Sequence, residues 1–175
     1  AAARPPKSPH LLSPTAVLSI EVPHGSVVRV SKRDSRCYFD QLRLPTAIRP
    51  WFGRPKLKVE DLCRYARFSR NDLQRFLVDG SEISNLASVI PLCDTFPMGF
   101  SWSSFVAQSY LLRRCFAAGL HERQFLADDK PVPITMNQIY GLATDDLMIF
   151  TLDDERQAVA TARAFDDELD RAGVI

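Results

Sequence analysis

The chain is poor in the residues that bind soft metals and has no segment able to cross a membrane as a helix. Only three of its 175 residues are His and four are Cys. Cys37, Cys63, Cys93 and Cys115 lie far apart, with no C-x-x-C pair and no histidine at zinc-ligand spacing. Free thiols in a reducing compartment are the plain reading, which points to an intracellular protein of unspecified compartment. His10, His24 and His121 are equally scattered and suggest no chemistry. No run of about 18 apolar residues occurs, so no membrane partner is expected. Net charge is also scarce, at +1, and by itself argues for no partner.

The remaining composition is that of an ordinary globular protein, 46% hydrophobic and 25% charged, long enough for one domain with a substantial core. Residues 1–25 read as an extended tail or linker, because Pro5, Pro6 and Pro9 with Arg4 and Lys7 surround only a short Leu11-Leu12 pair. The absence of an initiator Met suggests a fragment or a processed polyprotein. Charge is divided unevenly along the chain. Residues 1–76 hold 15 Lys/Arg against 6 Asp/Glu, and residues 77–175 hold 7 against 15. A basic half suits phosphates, and an acidic half suits metal ions or simply solubility.

Hydrophobic patterning predicts a strand over residues 26–31 that delivers Asp34 at or just past its end. Two helical pieces follow, Glu60 to Phe68 and Asn71 to Val78, the second capped by Ser69 and stopped at Asp79-Gly80. Pro97 and Gly99 demand a tight turn before a helix from Ser103 to Ala118, with Phe105, Ser109, Leu112 and Phe116 on its apolar face. Residues 125–133 read as a polar surface loop or hairpin. Met136 to Ala143 and Leu147 to Thr151 have strand length and are joined by Thr144-Asp145-Asp146. A last helix is expected from a cap at Asp153 to Arg171, with Ala158, Ala162, Phe165 and Leu169 inward. This order predicts an α+β fold, an antiparallel sheet covered by helices on one face.

Asp-Asp pairs occur at 128–129, 145–146, 153–154 and 166–167, so the dipeptide alone means little. Asp145-Asp146 differs in interrupting two core-forming runs, Ile139 to Ala143 and Leu147 to Phe150. Two carboxylates at such a tip repel unless a positive group is near, and a hard divalent cation is the natural counter-charge. An acidic turn without chemistry is the plain alternative. Asp34, arriving from a separate strand, would complete a two-metal phosphoryl-transfer site. The Pro-x-Gly turn at Phe96 to Phe100 lets backbone approach a base pair or phosphate closely.

Taken in order, these segments resemble the reverse transcriptase family. Asp34, with Phe39 five positions on and then Asp40-Gln41-Leu42, is similar to its first palm motif. Phe96-Pro97-Met98-Gly99 through Gln108 is similar to its Leu-Pro-x-Gly…Gln segment, and Ala143-Thr144-Asp145-Asp146 to its Tyr-x-Asp-Asp hairpin. Asp170 to Ile175 looks like the start of the next motif. The resemblance implies a polymerase palm over residues 26–175, with 53–92 an insertion or helical elaboration. It implies two Mg²⁺ or Mn²⁺ ions held by Asp34, Asp145 and Asp146, with Phe39 selecting the sugar. Pro97, Met98, Gly99 and Gln108 would line the nucleotide and template pocket. The implied partners are an RNA or DNA template-primer and dNTP, with fingers and thumb, with or without a nuclease, elsewhere in a parent chain. Arg33, Arg36, Arg54, Lys56 and Lys58 are candidate phosphate contacts.

Departures from the family pattern bear on activity. Ala143 stands where a Tyr is usual, and Met98 holds a place that is often polar. The lysine of the last palm motif, a thumb and full fingers are missing, so little activity is expected from this stretch alone. Two rival readings are a viral RNA-dependent RNA polymerase palm, suggested by Asp40, and a degenerate palm kept as a binding scaffold. An unrelated metal-dependent hydrolase would need a further histidine or acid near these turns.

Overall fold

A computed structural model gives the fold, and it describes residues 4–128, 130–133 and 136–174. Asp129 of the first acidic pair and Ile175 of the expected last motif lie outside the described residues, as do the first three residues of the expected tail. The chain divides into two compact units, Ala1–Leu42 with Phe96–Ile175, and Arg43–Thr95.

The first unit is α+β. Its sheet has the order β1-β5-β4, all antiparallel, with β1 at Val28–Asp34, β4 at Gln138–Ala143 and β5 at Asp146–Leu152. Strand alternation sorts the side chains into two faces. One holds Ser31 and Arg33 with Leu147, Ile149, Thr151, Gln138, Tyr140 and Leu142, and all but the first two are buried. The long helices α5 (Ser103–Ala117) and α6 (Glu155–Arg171) cover this face. The α6 stripe Ala158, Ala162, Phe165 and Leu169 is buried, as its spacing predicts. Its cap is Asp154, which accepts from Gln157 N at 2.9 Å, one residue later than expected.

The buried stripe of α5 is rotated from the expected one. Ala107, Gln108, Leu111, Leu112 and Cys115 are inside, while Phe116 is 40% exposed. Phe116 still packs edge-on against the Phe125 ring, centroids 5.7 Å apart, so an aromatic at the margin mimics a core position in sequence.

The opposite face bears Val28, Val30, Lys32 and Asp34, with Phe150, Met148 and Asp146 beside them on β5. Its lower part is covered by the N-terminal segment, which is not the free tail its prolines suggest. Ala16 on the short helix α1 (Pro14–Leu18) is buried with Leu126, Ile139 and Phe150, and Leu12, Val17 and Ile20 pack around them. Leu12 N donates to Leu142 O at 2.7 Å, and Leu126 N to Tyr140 O at 2.8 Å. Together these bonds cover the outer edge of β4, which would otherwise offer unpaired backbone groups.

The second unit interrupts the first. Its ends run side by side, Arg43 bridging to Thr95 and Leu44 N donating to Asp94 O at 2.8 Å. Inside are a two-strand ribbon, Leu57–Lys58 with Ser88–Val89, and the helices α3 (Val59–Tyr65) and α4 (Arg70–Phe76). Val59, Leu73 and Ile83 form a small core. Ser69 caps α4 as expected, in a reciprocal capping box with Asp72. No helix among the described residues is long and apolar enough to cross a membrane.

Candidate carboxylate site at the hairpin tip

Acids distant in sequence meet at one end of the sheet. Asp34, the last residue of β1, lies directly opposite Asp146, the first residue of β5. Ser35 N approaches Asp145 O at 3.4 Å, so the chain leaving β1 follows the turn itself. The antiparallel register explains the meeting: Val28 pairs with Leu152 six residues earlier, and every residue between is paired in step.

The β4–β5 connection is a two-residue loop, Thr144-Asp145. Thr144 has φ +58°, and Asp145 N closes back on Ala143 O at 2.7 Å. A positive φ is uncommon for a β-branched residue, and a turn of this tightness stores strain. It sets Asp145 in the loop and Asp146 at the first position of β5.

Lys32 is the functional residue that sequence reasoning missed. Its ammonium lies 2.9 Å from Asp146 Oδ2, with the two side chains 52% and 24% exposed. The hydrogen bond to Asp146, reinforced by the charges of Asp146, Asp34 and Asp145, raises the Lys32 pKa above the ordinary lysine value despite some desolvation. The available signal was alternation, because Lys32 precedes Asp34 by two and must share its face. The other oxygen, Asp146 Oδ1, is buried without a hydrogen-bond partner. Among the described residues no group of three His, Cys, Asp or Glu side chains is arranged to hold a metal ion. Carboxylate oxygens, one of them unsatisfied, are donors that a hard cation would accept, but here the lysine supplies the positive charge.

The other expected residues separate into distinct surroundings. Phe39 is half-buried on α2 (Tyr38–Gln41) in the same unit, edge-on to Tyr38. Tyr38 itself is buried, donates to Ala107 O at 3.0 Å, and has its phenol pKa pushed up by burial. Pro97 O accepts from Phe100 N at 3.2 Å around Met98 and Gly99, whose φ of +87° is the conformation that favours glycine. Met98 is 79% exposed at the tip of this turn. Ser103 Oγ donates to Pro97 O at 2.8 Å and joins the turn to α5.

Gln108 is fully buried, with its amide turned to the protein rather than to an open pocket. Arg33 lies on the helix-covered face and not beside the acids, its Nε 2.9 Å from Asp166 Oδ1. Arg36 is exposed, following β1 in the first unit. Arg54, Lys56 and Lys58 are exposed on the second unit, where Lys56, Lys58 and Arg70 line a common groove.

Compared with protein-family models, with curated proteins and with solved structures, the chain gives no match.

Proposed function

We propose that this chain is the palm region of a reverse transcriptase, serving template-directed DNA synthesis by two-metal phosphoryl transfer. The observation that supports the reading best is the direct opposition of Asp34 and Asp146 across β1 and β5, beside the Asp145 turn. A strand-borne acid opposite an acidic hairpin tip gathers carboxylate oxygens of the kind that would hold divalent cations. When bound, two divalent ions would lower the pKa of a primer 3′-hydroxyl and neutralise charge on the leaving pyrophosphate. The task of the chain is positional: Asp34 and Asp145 supply the ligand oxygens, and Asp146 supports them from the base of the turn. Phe39 lies five residues after Asp34, on the short helix α2, and is the residue to crowd a ribose 2′-hydroxyl. The exposed Pro97–Gly99 turn offers backbone to a nucleotide. Arg36, Arg54, Lys56 and Lys58 are the cations for template phosphates.

One observation favours a second reading, a palm retained as a nucleic-acid-binding scaffold. Lys32 already neutralises Asp146, and Ala143 stands before the acids. Mn²⁺ binding followed by electron paramagnetic resonance separates the two. The catalytic reading expects saturable binding that Asp145→Asn weakens at least about tenfold, as loss of a charged ligand should. A chain that binds no Mn²⁺, or binds it equally well as Asp145→Asn, overturns the catalytic reading and leaves the scaffold reading standing. Preference for deoxynucleotides over ribonucleotides in primer extension, carried out in a longer chain, tests the role of Phe39 and separates this reading from an RNA polymerase.

A further inference from the structure

We infer that Gln108 is a positioning residue: its buried carboxamide holds the Thr144-Asp145 turn in its strained form and ties that turn to the segment at Pro9-His10. The inference rests on the carboxylate-site reading only for its consequence on cation binding.

A glutamine amide has two donor hydrogens and an oxygen with two lone pairs. Gln108 Oε1 accepts from Thr144 N at 2.6 Å, the shortest of its bonds. Gln108 Nε2 faces three carbonyls, Pro9 O at 3.0 Å, His10 O at 3.2 Å and Leu142 O at 3.3 Å. Both ends of one side chain therefore grip the hairpin, at Leu142 on β4 and at Thr144 in the loop, while its stem is fixed on α5. Such a grip is what a β-branched residue at φ +58° needs, because strained backbone persists only where its surroundings over-determine it. The carboxylates of Asp145 and Asp146 leave the chain directly after Thr144, so a relaxed turn would redirect both. Among the described residues no other side chain bonds the Thr144 amide.

A residue that merely fills the core would, on replacement, lower stability without altering the turn. Gln108→Met keeps the length and removes every polar contact. The expected result is amide exchange at Thr144, read by NMR, accelerated at least about tenfold while the α6 amides stay protected. Mn²⁺ affinity should fall about tenfold. Adding Thr144→Gly, which takes positive φ without strain, should recover most of that affinity. Unchanged Thr144 exchange in a folded Gln108→Met protein overturns the inference, as does a loss of affinity that Thr144→Gly leaves untouched. If Gln108→Met does not fold, the Thr144 amide of the unaltered chain decides: slow exchange supports the grip, and exchange as fast as an open loop refutes it. If the unaltered chain binds no Mn²⁺, the metal reading fails alone, and the exchange measurements still judge Gln108.

Discussion

Lys32 decides what the acids at the hairpin tip can do in the free protein. Three carboxylates act on it, and its folded pKa is raised above the unfolded lysine value. A raised lysine pKa stabilises the fold at any pH below the unfolded value, and that stabilisation is lost only as pH rises through the folded one. The ammonium is therefore present throughout the neutral range, and a divalent ion entering the site must displace it from Asp146 Oδ2 or share the oxygen with it. Like charges so close oppose each other in a partly desolvated site. Lys32→Met should accordingly raise Mn²⁺ affinity, by about tenfold for one neighbouring positive charge removed. Weaker or unchanged binding in the Lys32→Met protein would mean that the ammonium helps to organise the carboxylates instead of competing for them. Reading this pair from sequence needed only the two-residue period of a strand. The strand was expected to end near Ser31, however, and it runs to Asp34.

At the scale of elements, local rules predicted what local forces build. The α4 capping box and the inward stripe of α6 follow from residues within one or two turns of each other. The α5 stripe did not, because its centre is a polar Gln108 that is buried only through partners far away in sequence. The N-terminal segment failed for the same reason: its prolines suggest a tail, but its partner is β4. At Gly141 a Cβ would stand 2.5 Å from Leu12 Cδ2 and 2.9 Å from Cδ1, so any larger residue there obliges the Leu12 side chain to move. Gly141→Ala should push Leu12 aside and loosen the cover over β4, at a cost of about 1–3 kcal/mol typical of overpacking. Urea unfolding of Gly141→Ala, Leu12→Ala and the double variant checks the origin. The double variant should be clearly less destabilised than the sum of the single ones, since the clash is gone once Leu12 is shortened. Strict additivity would place the cost in the strand backbone and not in the docking of the N-terminal segment.

For the whole molecule, the division into two units separates the acids from three of the candidate phosphate contacts. Asp34, Asp145, Asp146, Lys32 and Gln108 all belong to the first unit, whereas Arg54, Lys56, Lys58 and Arg70 belong to Arg43–Thr95. The sequence marked residues 53–92 as an elaboration, close to this second unit. Its folding depends on its own small core and on the pairing of its ends, and the uneven charge along the chain gives no hint of that boundary. Where the chain leaves the first unit, Leu42 O accepts from Phe96 N at 2.9 Å, so a linker of about four residues can replace residues 43–95 without stretching that junction. The shortened chain should keep a dispersed amide spectrum and the Mn²⁺ affinity of the full one. Its affinity for a template-primer should fall, and the slope of log affinity against log salt should shrink by roughly one for each phosphate contact removed. The two readouts judge different claims. Loss of Mn²⁺ binding in a folded shortened chain would show that the carboxylate site needs the second unit. Unchanged nucleic-acid affinity and salt slope would remove Arg54, Lys56 and Lys58 from the interface and leave Arg36 as the remaining candidate phosphate contact.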